Sequence, residues 1–244
     1  MRRFGLIGYP LSHSFSQQFF TEKFLQLHIT DCIYENFPLK KIDELLPVLK
    51  QHPDLAGLNV TIPYKEQVIP FLSQQSDVVS KTGACNCIRI ENGKLSGHNT
   101  DVIGFENSLL EKLRSYHRKA LVLGTGGAAK AVHFVLDKLG IEYKDVSRTA
   151  SGSVITYQQI NMSIIKEHLL IINTSPVGMY PNTEEYPLLP YSALTSQHYL
   201  FDLIYNPAKT QFLQKGEERG AAIKNGLDML VIQAEESWRI WNKG

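Results

Sequence analysis

The sequence is poor in every feature that would set it apart from ordinary globular proteins. Only three cysteines occur in 244 residues, Cys32, Cys85 and Cys87. An odd count with a Cys-x-Cys spacing gives neither a disulfide framework nor the paired ligands of a zinc site, so buried free thiols in a reducing cytoplasm are expected. A charge excess is missing too: 25 Lys plus Arg against 24 Asp plus Glu leave a formal +1 with no basic or acidic block. That excludes the electrostatic footprint of a nucleic-acid or membrane-surface binder. No apolar run approaches the ~18 residues of a membrane span. Residues 4–7, behind Arg2 and Arg3, are too short for a signal-peptide core. Repeats and low-complexity segments are also missing. What remains, 43% hydrophobic and 20% charged, fits one large or two small globular domains.

Against this plain background, residues 121–131 carry the most information: Leu-Val-Leu-Gly-Thr-Gly-Gly-Ala-Ala-Lys-Ala. Three apolar residues predict a short buried strand, Gly124, Gly126 and Gly127 a tight turn, and residues 128–139 a helix. A pyrophosphate needs backbone N–H groups at a helix N-terminus, where the dipole favours negative charge and a Cβ would block approach. Gly124 would make the turn, Gly126 would admit the phosphate, and Ala129 would take the close-packing third position. A second strand at 141–146 completes a βαβ context. No Gly-Lys-Ser/Thr follows the loop, which excludes a Walker site.

After that second strand comes Ser147-Arg148-Thr149, where NAD-type sites place an acid for the ribose 2′-hydroxyl. A guanidinium there favours a 2′-phosphate, which it can fork onto. Asp145, two residues earlier, stays open as a ribose contact.

The first hundred residues alternate strands and helices: strands at 4–7, 32–37 and 55–61, and helices at 17–27, 40–50 and 66–72. Asn92-Gly93 between apolar runs predicts a hairpin. Ser12 and Ser14 stand where helix N-caps stand, and could equally donate to a small anion. Asn59, Thr61 and Lys65 cluster at the carboxyl end of a parallel strand, the usual ligand edge of open α/β sheets. Asp101, an N-cap candidate, lies in the glycine-rich segment 97–105 that leads into a helix expected at 105–113 and marks a domain junction. Further strands are expected at 169–172, 199–204 and 221–224, with a helix at 210–219 and a loop at 180–197. The last helix, 226–241, should bury Leu227, Leu230, Val231, Ala234, Trp238 and Trp241, with Gln233 at the margin.

Taken in order, Ser12-His-Ser14, Asn59-Val-Thr61-Ile-Pro-Tyr-Lys65, Gly83-Ala-Cys-Asn86, Asn99-Thr-Asp101, Gly124-Thr-Gly-Gly-Ala-Ala, Arg148-Thr149, Asn173-Thr, Tyr205-Asn-Pro and Gly226-Leu-Asp-Met-Leu-Val-Ile-Gln233 resemble the shikimate dehydrogenase family over almost the whole chain. The resemblance implies an α/β protein with a substrate-binding catalytic domain at 1–101, completed by a terminal helix at 226–244. A Rossmann-type NADP-binding domain would occupy 102–225, with a cleft between the two. It implies NADPH-dependent reduction of 3-dehydroshikimate to shikimate in aromatic amino-acid biosynthesis, by a cytoplasmic monomer or homodimer that needs no metal, nucleic acid or membrane.

By the same resemblance Lys65 and Asp101 are the catalytic pair. Ser12, Ser14, Asn59, Thr61, Asn86, Tyr205 and Gln233 bind the substrate. Gly124, Thr125, Gly126, Gly127, Ala128, Ser147, Arg148 and Thr149 hold the cofactor, with Asp77, Leu203 and Gly226 lining its site. The chain departs from the family at Gln17, Cys87 and Ser147, where Pro, Thr and Asn are usual, and lacks a second arginine at 149–154. A quinate/shikimate dehydrogenase using NAD or NADP, and a non-catalytic nucleotide-binding regulator, are the competing readings on the same fold. Retention of both Lys65 and Asp101 argues against the regulator.

Overall fold

A computed structural model describes residues 1–11 and 14–243. The chain folds into two compact units, one made of Met1–Thr100 with Gln233–Gly244, the other of Asp101–Ile232. The boundaries read from the sequence lie one residue from the first division and about two helical turns before the second.

In the first unit the chain runs β1 (Arg2–Gly8), α1 (Phe15–Gln26), β2 (Cys32–Pro38), α2 (Leu45–Gln51), β3 (Leu55–Val60), β4 (Gln74–Gln75), α3 (Asp77–Thr82), β5 (Cys87–Glu91) and β6 (Lys94–His98). Its sheet has the order β2-β1-β3-β5-β6-β4. β1 lies parallel to β2 and β3, while β5 is antiparallel to β3 and β6. The Asn92-Gly93 hairpin forms with Glu91 opposite Lys94 and positive φ at both turn residues, 51° and 72°. Those angles match the right-handed twist of the flanking strands. An aromatic core of Phe4, Phe20, Tyr34 and Trp241 covers one face, with Phe4 stacked on Trp241 at 4.8 Å and Phe20 on Tyr34 at 4.6 Å. The Trp241 indole N–H donates to the Ile88 carbonyl at 3.0 Å, which satisfies its polar edge inside this core.

In the first unit two expected helices are shortened or broken up, and each contains a proline. Residues 66–72 form only a 3-10 turn, Ile69–Phe71, since Pro70 has no N–H to give and its ring crowds the preceding turn. The helix expected at 40–50 is a 3-10 turn, Ile42–Glu44, running into α2, where Pro47 falls in the first turn and its missing N–H would have been unpaired anyway. β4 and α3 are too short to leave a periodic signal in the sequence.

The second unit contains α4 (Asp101–Leu110), β7 (Lys119–Leu123), α5 (Gly127–Leu139), β8 (Glu142–Ser147), β9 (Ile155–Thr156), α6 (Met162–Glu167), β10 (Leu170–Asn173), β11 (Tyr199–Asp202), α7 (Gln211–Glu217) and β12 (Ala222–Lys224). All its strands are parallel, in the order β12-β11-β10-β7-β8-β9. This is the doubly wound Rossmann-type order, which reverses direction between β7 and β10. β10 and β11 are buried along their whole length, as strands covered on both faces must be. α4 begins at Asp101, earlier than expected, and the short β9 and α6 have no legible signal.

The final helix, α8 (Leu227–Trp241), corrects the expected stripe. Leu227 is 43% exposed, and the buried positions are Met229, Gln233, Ala234, Ser237, Ile240 and Trp241. Gln233 therefore lies on the buried face, with Ser237 one turn below it. Hydrogen bonds inside the first unit make two polar residues acceptable there. No helix among the described residues is long and apolar enough to cross a membrane.

Candidate active site

In the second unit the glycine-rich turn stands at the carboxyl end of β7, beside the point where strand order reverses. Gly124 has φ +117°, and a Cβ there would lie 2.8 Å from the Thr174 hydroxyl. That hydroxyl donates to the Leu123 and Gly124 carbonyls at 3.0 and 3.2 Å, and the Gly124 N–H donates to the Val146 carbonyl at 2.9 Å. The turn is thus fixed from β8 and from the loop after β10.

Gly126 is the N-cap of α5, and it and Gly127 face open space where a side chain would project. Among the described residues no side chain caps this 13-residue helix and no acid stands in its first turn, so the N–H groups of Gly127 and Ala128 face an incoming anion, while that of Ala129 donates to the Gly126 carbonyl at 3.0 Å. Thr125 is exposed, Ala128 is half-buried, and Ala129 packs inside.

At the end of β8 the two candidates differ in their contacts. The Asp145 carboxylate lies 2.6 Å from His133 Nε2 of α5, whose ring stacks on Tyr143 at 4.6 Å. Arg148 and Thr149 are exposed and Ser147 half-buried. Among the described residues the Arg148 guanidinium makes no hydrogen bond or ion pair, so the cation, not the acid, is free at this edge.

Leu203 and Gly226 meet through their backbones. The Leu203 N–H donates to the Asn173 carbonyl and the Gly226 N–H to the Ile204 carbonyl, each at 3.0 Å. A Cβ on Gly226 would fall 2.1 Å from the Leu203 carbonyl oxygen, so only glycine permits this approach. Tyr205 follows with 38% of its surface exposed. Asp101 opens α4 in this same unit.

The first unit holds the remaining candidates. Asn59 at the end of β3, Asn86 before β5 and Gln233 on α8 are all buried, and one hydrogen-bonded network joins them. Tyr34 donates to Asn59 Oδ1 at 2.8 Å, and Asn59 Nδ2 donates to Ser237 Oγ at 2.9 Å. Asn86 Nδ2 donates to the Thr100 hydroxyl at 3.0 Å, while the Thr100 N–H donates to Asn86 Oδ1 at 2.7 Å. Thr100 Oγ1 also reaches Gln233 Oε1 at 3.4 Å and Ser237 Oγ at 3.3 Å.

Thr61 and Lys65 occupy the turn after β3. This turn is closed by Tyr64 N–H to the Thr61 carbonyl at 2.9 Å and by Cys85 N–H to the Lys65 carbonyl at 2.7 Å. Ser14 is the N-cap of α1, accepting from the Gln17 N–H at 3.2 Å, which leaves its own proton for a ligand. Ser12 lies outside the described residues. Asp77 is the exposed first residue of α3, behind the Ser76 cap, a place favourable to an acid with or without a ligand. It belongs to the first unit, as Lys65 does.

Sequence reasoning missed Tyr34, Thr100 and Ser237, which orient the buried amides, and Asp202, wholly buried at the end of β11. An aspartate inside an otherwise apolar strand and a serine four residues after Gln233 were the available signals.

Comparison with known proteins points to one family. A family model described as the shikimate dehydrogenase substrate binding domain matches residues 6–88. The shikimate dehydrogenase (NADP(+)) of Caldicellulosiruptor bescii is 36% identical, over 99% of this chain and 89% of that protein. Among solved structures, a chorismate mutase/shikimate 5-dehydrogenase fusion protein from Clostridium acetobutylicum superposes with a TM-score of 0.88 at 36% identity, covering 99% of this chain and 91% of that one. The shikimate 5-dehydrogenase of Thermus thermophilus, in complex with NADP(H) and shikimate, gives 0.87 at 29% identity, covering 99% and 94%.

Proposed function

The chain belongs to the shikimate dehydrogenase family, and we propose that it catalyses the reversible NADPH-dependent reduction of 3-dehydroshikimate to shikimate. The observation that carries this reading is likeness over 99% of the chain to a protein named for that activity. The glycine turn, the uncapped start of α5 and the unpaired Arg148 fit a dinucleotide with a 2′-phosphate: backbone N–H groups receive the pyrophosphate and the guanidinium receives the extra phosphate. When bound, NADPH supplies the hydride.

The rest of the chemistry falls to side chains. The carbonyl oxygen that takes up charge needs a proton, and the Lys65 ammonium both stabilises that charge and donates it; in the reverse direction the amine takes the proton back. Asp101 orients the ammonium and the reacting hydroxyl. Asn59, Thr61, Asn86, Tyr205 and Gln233 bind the ring hydroxyls or the carboxylate, and Ser12 and Ser14 the carboxylate. Asp77, Leu203 and Gly226 line the cofactor site. The protein works in the cytoplasm as a monomer or homodimer, on a small molecule and without nucleic acid or membrane.

Initial rates of NADPH formation with shikimate, and of NADH formation with quinate, test the reading. Shikimate with NADP should be the fastest pair. Faster quinate oxidation with NAD would make the protein a quinate dehydrogenase, and no turnover with either pair would favour the regulator.

A further inference from the structure

Asp202 ends β11 with its side chain wholly buried. A buried carboxylate is costly unless its lone pairs are used, and nothing in the packing of this strand asks for one, since Tyr199, Leu200 and Phe201 fill the core beside it. Its hydrogen bonds show what it does. Oδ1 accepts from Asn173 Nδ2 at 3.0 Å and from the Ile204 N–H at 3.1 Å; Oδ2 accepts from the Thr210 hydroxyl at 2.6 Å. One carboxylate therefore closes the loop after β11 at both ends, at Ile204 and at the N-cap of α7.

Through Asn173 it reaches the neighbouring loop as well. Asn173 Oδ1 accepts from the Ser175 N–H at 3.1 Å and its hydroxyl at 2.7 Å. Ile204 is held on its other side by the Gly226 N–H on its carbonyl. The segment gripped in this way is the one that presents Leu203 and Tyr205.

Resting on the function read above, we infer that Asp202 is a positioning residue for the cofactor: its carboxylate locks the loops after β10 and β11 into one arrangement, and cofactor affinity depends on that lock. Burial pushes its carboxyl up to about 6, against the pull of the Thr210, Ile204 and Asn173 hydrogen bonds. The groups facing it from β10 and from the cap of α7 are neutral. Tyr191, which feels the Asp202 charge, is pushed far above its ordinary value by burial and stays neutral in this range. Among the described residues no cation hydrogen-bonds to Asp202. The carboxyl binds its proton more tightly in the locked loop than in an opened one, so proton uptake as the pH falls through about 6 favours the lock and ionisation above that range weakens it.

The test compares the parent enzyme with Asp202→Asn and Asp202→Ala. KM for NADP and kcat for shikimate oxidation are measured from about pH 5 to about pH 8, with amide hydrogen exchange of residues 203–210 read in the protein without ligand. The amide keeps the shape and one acceptor oxygen but cannot titrate. Asp202→Ala should raise KM for NADP about tenfold, with a smaller change in kcat, and speed exchange at Ile204. Asp202→Asn should keep slow exchange at every pH and lose the part of the rise in KM that ionisation of Asp202 gives the parent as the pH increases through about 6. The 2′-phosphate of the cofactor titrates in the same range for both proteins and cancels in the comparison. An Asp202→Asn enzyme with the parent's full pH dependence of KM, or an Asp202→Ala enzyme with parental KM and exchange, overturns the inference. A parent without NADP-linked turnover would remove the functional reading, and exchange at Ile204 alone would then decide whether the lock exists.

Discussion

The two units build their polar sites from different materials. In the first, neutral amides and hydroxyls contributed by Tyr34, Asn59, Asn86, Thr100, Gln233 and Ser237 satisfy one another inside the core. In the second, backbone N–H groups at the start of α5, one exposed guanidinium and one buried carboxylate stand at the strand ends. On the proposed function, the contrast suits the ligands each would take. A hydroxylated ring needs donors and acceptors in fixed directions, which neutral amides supply without the cost of burying charge. Phosphates need positive potential and close approach, which a glycine turn, a helix terminus and an arginine supply.

Perturbing each kind of group separates the roles. Lys65→Ala should have the largest effect, lowering turnover by about 10² to 10⁴-fold while shikimate affinity changes much less. Pre-steady-state and equilibrium measurements together would show this; a loss confined to KM would make Lys65 a binding residue. Next, Arg148→Ala should raise KM for NADP roughly tenfold to a hundredfold and leave KM for NAD nearly unchanged, as expected for loss of a charge-assisted bond to phosphate.

Smaller effects fall on stability. The native carboxyl of Asp202 binds its proton more tightly than the unfolded chain does, so its contribution to stability is full below about pH 4 and is lost as the pH rises through about 6. Asp202→Asn should therefore gain on the order of 2 to 3 kcal/mol over the parent above that range, measured by urea unfolding at several pH values. His117, His168 and His198 act in the opposite direction. Burial lowers their pKa, so their contribution is complete above about pH 6.5 and declines below it, equally in both proteins. Ser237→Ala leaves one Asn59 proton without its 2.9 Å acceptor and should cost about 1 to 3 kcal/mol in the same unfolding experiment.

The contrast between the units also explains what is legible without the structure. The nucleotide turn is local: strand, glycines and helix lie within residues 119–139, and each has its own short-range signal. The Asn92-Gly93 hairpin is legible for the same reason. The amide network is assembled from positions 34, 59, 86, 100, 233 and 237, and no window of sequence contains it. Family resemblance points to Asn59, Asn86 and Gln233, while the partners that orient them become visible only as contacts. Gln233 reads as marginal on α8 because glutamine counts as polar in a periodicity argument, whereas a hydrogen bond to Thr100 lets it lie inside. Pro70 is legible as a helix breaker, and the run 66–72 shows that its signal outweighs the apolar pattern around it.

Crossed equilibrium titration tests the division of labour most directly: shikimate and NADP are each titrated separately into Arg148→Ala and Ser237→Ala. The account predicts that Arg148→Ala loses NADP affinity about tenfold or more with shikimate affinity unchanged, and that Ser237→Ala loses shikimate affinity with NADP affinity unchanged. Equal losses of both ligands in either variant would contradict it.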